Sequence, residues 1–132
     1  MRADTLKTVL ELKSIADQIV QIQNRQYNSP EDFMDMLFQI EPLVKRARQI
    51  MLVLQQNSVN PSNSQDSQFQ AMLSITNDVI TLREQEIAVA HKMQGMSPEE
   101  RKQAVLSELG PLFKRETEAA SRLAEMQKKK QD

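Results

Sequence analysis

Cysteine is absent from the 132 residues. Disulfide frameworks, thiolate nucleophiles, zinc knuckles and iron–sulfur ligation are therefore excluded together, and the composition fits a reducing compartment. With two glycines, five prolines and 4% aromatics, the chain has little with which to build tight hairpin turns, and a β-rich fold is disfavoured. Charge of one sign is also lacking: 17 Lys and Arg stand against 18 Asp and Glu, for a formal net charge of −1 and a pI near 5.9. No overall field steers such a chain to nucleic acid or anionic lipid. The longest run of large aliphatics is Ile50-Met51-Leu52-Val53-Leu54, far short of the roughly 20 residues of a bilayer span. The N-terminus lacks an apolar core and a small-residue cleavage site, so no secretory signal is expected. The location read from these absences is intracellular, in the cytoplasm, with the nucleus left open.

What remains is helix-forming material. The chain is 39% apolar and 27% charged, with 16 Gln, a good helix former that stays solvated. Its length suits one domain, or one half-assembly completed by a partner. From about Asp4 to Arg25, Leu6, Val9, Leu12, Ile15, Ala16, Ile19 and Ile22 recur mostly at steps of three and four, predicting an amphipathic helix that Asp4 can cap. Ser29-Pro30-Glu31-Asp32 is a second helix start: a hydroxyl cap, a proline at the first helical position, and two acids at the positive end of the dipole. Phe33, Leu37, Ile40, Val44, Ala47, Met51 and Leu54 then follow at steps of 4, 3, 4, 3, 4 and 3, a heptad seam and the sharpest periodic signal in the chain. Pro42 is expected to kink this helix or end its first part near Ile40 or Glu41.

Residues 56–68 read QNSVNPSNSQDSQ with one aliphatic side chain, too little to offset ordering entropy, which predicts a flexible linker. A third helix is expected from about Phe69 to Met93. Its stripe is Met72, Ile75, Val79, Leu82, Val89 and Met93, interrupted by Glu86 and widened by Ile80, Ile87 and Ala90, with a glycine stop at Gly95. Ser97-Pro98-Glu99-Glu100 opens a last helix carrying Val105, Leu106, Leu109, Leu112, Phe113, Ala120, Leu123 and Met126, broken or kinked at Gly110-Pro111 and ending in the exposed Lys128-Lys129-Lys130. Placing the two Ser-Pro starts over one another brings Pro42-Leu43-Val44-Lys45-Arg46 within one residue of Pro111-Leu112-Phe113-Lys114-Arg115. The alternatives are a duplicated helical hairpin and the chance recurrence of a common cap. The expected fold is all-α: a four-helix bundle of two helical hairpins with long, coiled-coil-like helices. Residues 1–55 and 69–132 would be the hairpins and 56–68 the linker, together one domain.

Residues that could carry chemistry are few. His91 is the sole imidazole, so triads and His-rich metal sites have at most one member. A di-iron bundle needs Glu-x-x-His twice, but the residue three before His91 is Ala88. No glycine-rich phosphate loop or calcium loop is present. No catalytic residue, metal or cofactor is therefore expected. Glu86 and Glu116 stand apart because each falls where its stripe calls for an apolar side chain. A polar group there either fixes register and partner choice or lies at the seam's edge and snorkels. Lys45-Arg46-Arg48 and Lys114-Arg115 are basic clusters that would meet phosphates or an acidic partner, or form the wet face of a helix. The eight methionines would fill core or line an adaptable groove.

Long rods with continuous seams and no catalytic constellation read as a non-enzymatic protein-interaction module, an adaptor or small subunit of an assembly. Its partner would be a protein offering amphipathic helices, or a second copy of the chain. The partner face expected from the seams is Phe33, Leu37, Ile40, Val44, Met51 and Leu54, or Val79, Leu82 and Val89, with Glu86 and Glu116 setting specificity. In size, acidity and helicity the chain is similar to the small helical chaperones of flagellar and type III secretion export, which is the alternative reading. A peripheral membrane or nucleic-acid binder acting through the basic clusters is a third class, opposed by the near-zero net charge.

Overall fold

In a computed structural model of the protein, which describes residues 3–57 and 64–131, every element is helical. Helix α1 spans Ala3–Gln23, α2 Pro30–Asn57, α3 Ser64–Met93 and α4 Pro98–Ala104, and one π-helical turn, Val105–Leu109, joins α4 to α5, Gly110–Gln131. The sequence places the starts well. Ser29 Oγ accepts from the Asp32 amide at 3.2 Å. Ser97 forms a full capping box, its Oγ accepting from the Glu100 amide at 3.2 Å while its own amide donates to Glu100 Oε1 at 3.0 Å. A Ser97→Ala variant is expected to lose about 1 kcal/mol of stability, read as a lower urea midpoint with an unchanged m-value.

Neither Pro42 nor Pro111 ends its helix, and the linker is shorter than expected. Pro42 lies inside an unbroken α2; it is exposed, so the amide it lacks falls on the solvent side of the helix. At Gly110-Pro111 the helix also continues, through the π turn that immediately precedes it. The Gly110 amide donates to Val105 O, five residues back, a wider winding beside a proline ring that would crowd the carbonyl four back. The expected linker shortens, because α2 runs to Asn57 and α3 begins at Ser64; the rest of that stretch lies outside the described residues, as do the side chains of Lys128-Lys129-Lys130. Gly95 ends α3 without a left-handed residue. The chain tightens instead through amide bonds from Gln94, Gly95 and Met96 to carbonyls three residues back, at 3.0–3.3 Å. Arg101 completes this end by donating to Met93 O at 2.9 Å and Gln94 O at 3.1 Å.

Packing follows chain order: α1 lies on α2, α2 on α3, and α3 on α5. The main core joins Leu12, Ile15 and Ile19 of α1 to the α2 seam, to Leu73, Ile80, Ile87 and Ala90 of α3, and to Leu109. Each fully buried Leu or Ile there contributes about 1.5–3 kcal/mol. A smaller cluster, Ile75, Val79 and Ala119 with Leu123 and Met126, zips the first half of α3 to α5. Charged clamps flank the cores. Arg46 donates to Glu11 at 2.6 Å and 3.2 Å between α1 and α2. Arg48 forks onto Glu84 at 2.9 Å and 3.1 Å and also reaches Thr81 and Asn77, between α2 and α3. Leu6, Leu106 and Ala120, expected in buried stripes, are exposed. For Ala120 the reason is architectural: α1 and α5 do not pack along each other's length.

Candidate functional site

Among the described residues, the one place where ionisable side chains are brought together in the interior is a layer across α1, α3 and α5. Arg83 and Glu86 are one helical turn apart on α3 and so share a face. Glu116 arrives from α5 and Gln23 from the end of α1. Arg83 Nη2 donates to Gln23 Oε1 at 3.3 Å, and Gln23 Nε2 donates to Glu116 Oε2 at 3.3 Å. Arg83 Nε lies 3.6 Å from Glu116 Oε1, an ion pair without a hydrogen bond. Glu86 is fully buried. Among the described residues, Arg83 Nε, Glu116 Oε1 and both Glu86 oxygens have no hydrogen-bond partner.

The electrostatics follow from this geometry. Burial above all, then the like charge of neighbouring Glu116, push Glu86 up to about 10, against the pull of Arg83. Burial also lowers Arg83, with Glu116 and Glu86 opposing. With Glu86 protonated the layer is balanced: one guanidinium, one carboxylate and one neutral acid. Two seam acids singled out in the sequence thus meet in space, and for Glu86 the snorkelling alternative fails. Sequence reading missed Arg83 and Gln23. A basic residue one turn before a seam glutamate was the available signal for Arg83; Gln23 had none, being one glutamine among many.

The expected partner face sits elsewhere than on the surface. Leu37, Ile40, Val44, Met51 and Leu54 are buried against this chain's own helices, as are Val79 and Leu82, while Phe33 and Val89 are half-buried. A seam strong enough to be read from sequence has been satisfied internally, so a charge placed at Leu37 or Val44 tests folding rather than docking. The basic clusters are also largely engaged: Lys45 with Glu41, Arg46 with Glu11, Arg48 with Glu84. Arg115 lines a shallow cleft beside Asp78, Glu118 and Arg122, which mixes both signs. His91 Nε2 lies 3.0 Å and 3.1 Å from the Glu41 oxygens, and this hydrogen bond holds Glu41 below the usual carboxylate range. Its ring rests 4.9 Å from that of Phe38. No cluster of three or more His, Asp or Glu side chains suited to a metal occurs among the described residues, and no described helix is long and apolar enough to cross a membrane.

The polar layer is also where the bundle stops closing. Counting back from Arg83 along its face gives Thr76, Met72 and Phe69, and back from Gln23 gives Ala16, Leu12 and Val9; forward from Glu116 come Ala120 and Leu123. Helices α1 and α5 do not pack along each other, and Val9, Ala16, Phe69, Met72, Thr76 and Leu123 are only half-buried, with Ala120 exposed. Among the described residues the chain is an all-α helical bundle whose α1–α5 side is left open. Comparison with known proteins returns no matching family model, no matching curated protein and no matching solved structure.

Proposed function

We propose that the protein is a non-enzymatic helix-binding module, an adaptor or small subunit that takes an amphipathic helix of another protein along its open side. The observation that carries this reading is that α1 and α5 meet at Gln23 and Glu116 but do not pack along each other's length. It leaves three helix faces that converge on a polar layer to continue beyond it as half-covered apolar surface, the shape a fourth-side helix would complete. Phe69 and Met72 form the floor in this reading, Val9 and Ala16 one wall, and Ala120 with Leu123 the other. The aromatic and thioether side chains suit a varied apolar ligand, and the polar layer at the closed end gives the docked helix a register mark.

Benzophenone side chains placed at Met72 and Ala120, with Gln49 on the outer face of α2 as control, test this in the cells that make the protein. A discrete adduct with another protein from positions 72 and 120, absent from 49, is expected. Adducts from all three positions, from none, or only with a second copy of this chain would overturn the reading. The identity of the adduct also decides between a resident complex subunit and an export substrate held by a chaperone.

A further inference from the structure

Helix α1 carries a second seam that the bundle does not use. Its buried stripe, Leu12, Ile15, Ile19 and Ile22, faces the core side. On the other side Leu6, Leu10, Lys13, Asp17 and Val20 follow at steps of 4, 3, 4 and 3, a heptad spacing over nearly the whole helix. The three apolar members are 50%, 56% and 41% exposed, which makes them half of the large hydrophobic residues left in solvent among the described residues. Lys13 and Asp17 are exposed and have no ion-pair partner among the described residues. A surface helix ordinarily shows one apolar face and one polar face; α1 shows two apolar stripes on opposite sides, and α2 covers only the inner one.

We infer that this outer seam pairs with the same seam of a second copy, antiparallel, to make a two-fold dimer. The charge order selects both the occupant and the direction. Laid antiparallel, Leu10 falls opposite Val20 of the second copy and Lys13 opposite its Asp17, and the two-fold axis repeats both contacts. Laid parallel and in register, Lys13 would face lysine and Asp17 would face aspartate. The seam is therefore complementary to itself in one orientation only, with two apolar contacts flanking two ion pairs. This surface is on the opposite side of α1 from the core and does not depend on the open side of the bundle, so dimerisation and the helix-binding reading stand or fall separately.

Light scattering after size exclusion over a concentration series tests the dimer directly. The wild-type mass should climb from 15.2 kDa toward twice that value as concentration rises. Leu10→Asp should raise the dissociation constant at least tenfold, since it places a charge in the contact twice. Lys13→Asp and Asp17→Lys should each weaken association by about threefold to tenfold by setting like charges against each other. Lys13→Asp/Asp17→Lys together should return to within about twofold of wild type, because the swap restores both pairs. All of these positions are exposed, so wild-type helical circular dichroism is expected throughout. A constant monomer mass, a dimer indifferent to Leu10→Asp, or single charge reversals that the double swap does not rescue would each overturn the proposal.

Discussion

Replacing Arg83 by methionine is expected to destabilise the bundle by about 3–5 kcal/mol, a fall in melting temperature on the order of 10 °C for a chain of this size. Methionine keeps much of the volume and the unbranched stem, so the loss reports the charge and its donors rather than a cavity. Among the described residues, Arg83 is the only cation of the layer. Without it the Glu116 carboxylate has just the Gln23 amide, and Glu86 remains beside it with both oxygens unpartnered. The same layer should tolerate complete removal. An Arg83→Met, Glu86→Leu, Glu116→Leu triple variant is expected to be as stable as wild type or more so, since it removes the desolvation of every ionisable group along with their attraction. Guanidinium titrations of the two variants side by side decide this. If the single and triple variants lose stability equally, the residues do not act as one layer.

Such a layer makes sense as a specifier rather than a stabiliser. The apolar seams of α2 and α3 repeat from turn to turn, and a repeating seam alone leaves neighbouring registers close in energy. One layer that demands a guanidinium, two acids and an amide from α1, α3 and α5 sets the register of all three rods, and it lies where the open side begins. Stability given up there contributes uniqueness, and a docked helix would meet a fixed end stop.

How much of this was legible in the sequence depended on the kind of signal. The helices, both serine-proline starts and the seam from Phe33 to Leu54 follow from periodicity and capping chemistry, which act within a few residues and leave a local imprint. Glu86 and Glu116 were visible as exceptions to a period. What periodicity does not encode is which stripe meets which. The seam residues were read as a partner face because an apolar stripe looks the same whether its neighbour is another chain or its own next helix. Local sterics lead one to expect a kink or a break at each proline; neither proline ends its helix, with an exposed position at Pro42 and a π turn before Pro111 accommodating the rings. Leu6 is expected on the inner stripe of α1; only the packing of α2 distinguishes that stripe from the outer one, which other aliphatic residues form at the same spacing.

The protonation of Glu86 gives the second large effect, and its sign runs against the usual behaviour of a carboxylate. Its folded value, about 10, lies above the ordinary 4.5, so its contribution is present in full below about pH 4.5 and is lost as pH rises toward the folded value. Between those limits the unfolded chain has released a proton that the folded chain keeps, and stability falls with rising pH by up to about 1.4 kcal/mol per unit. Glu41 and Glu100 act in the opposite sense in a different window. Both are lowered, Glu41 by its bond from His91 and Glu100 by its bond from the Ser97 amide, and what they contribute is lost as pH falls through the acid range. The two windows separate in a urea series at pH 3, 5, 7 and 8. Wild type should be most stable near pH 5 and lose up to about 4 kcal/mol by pH 8. Glu86→Gln, which copies the shape of the protonated acid, should match wild type near pH 5, stay within about 1 kcal/mol of that value at pH 8, and still weaken toward pH 3. An unchanged slope above pH 5 in the glutamine variant would assign the loss to another group and remove Glu86 from the role of proton holder in the layer.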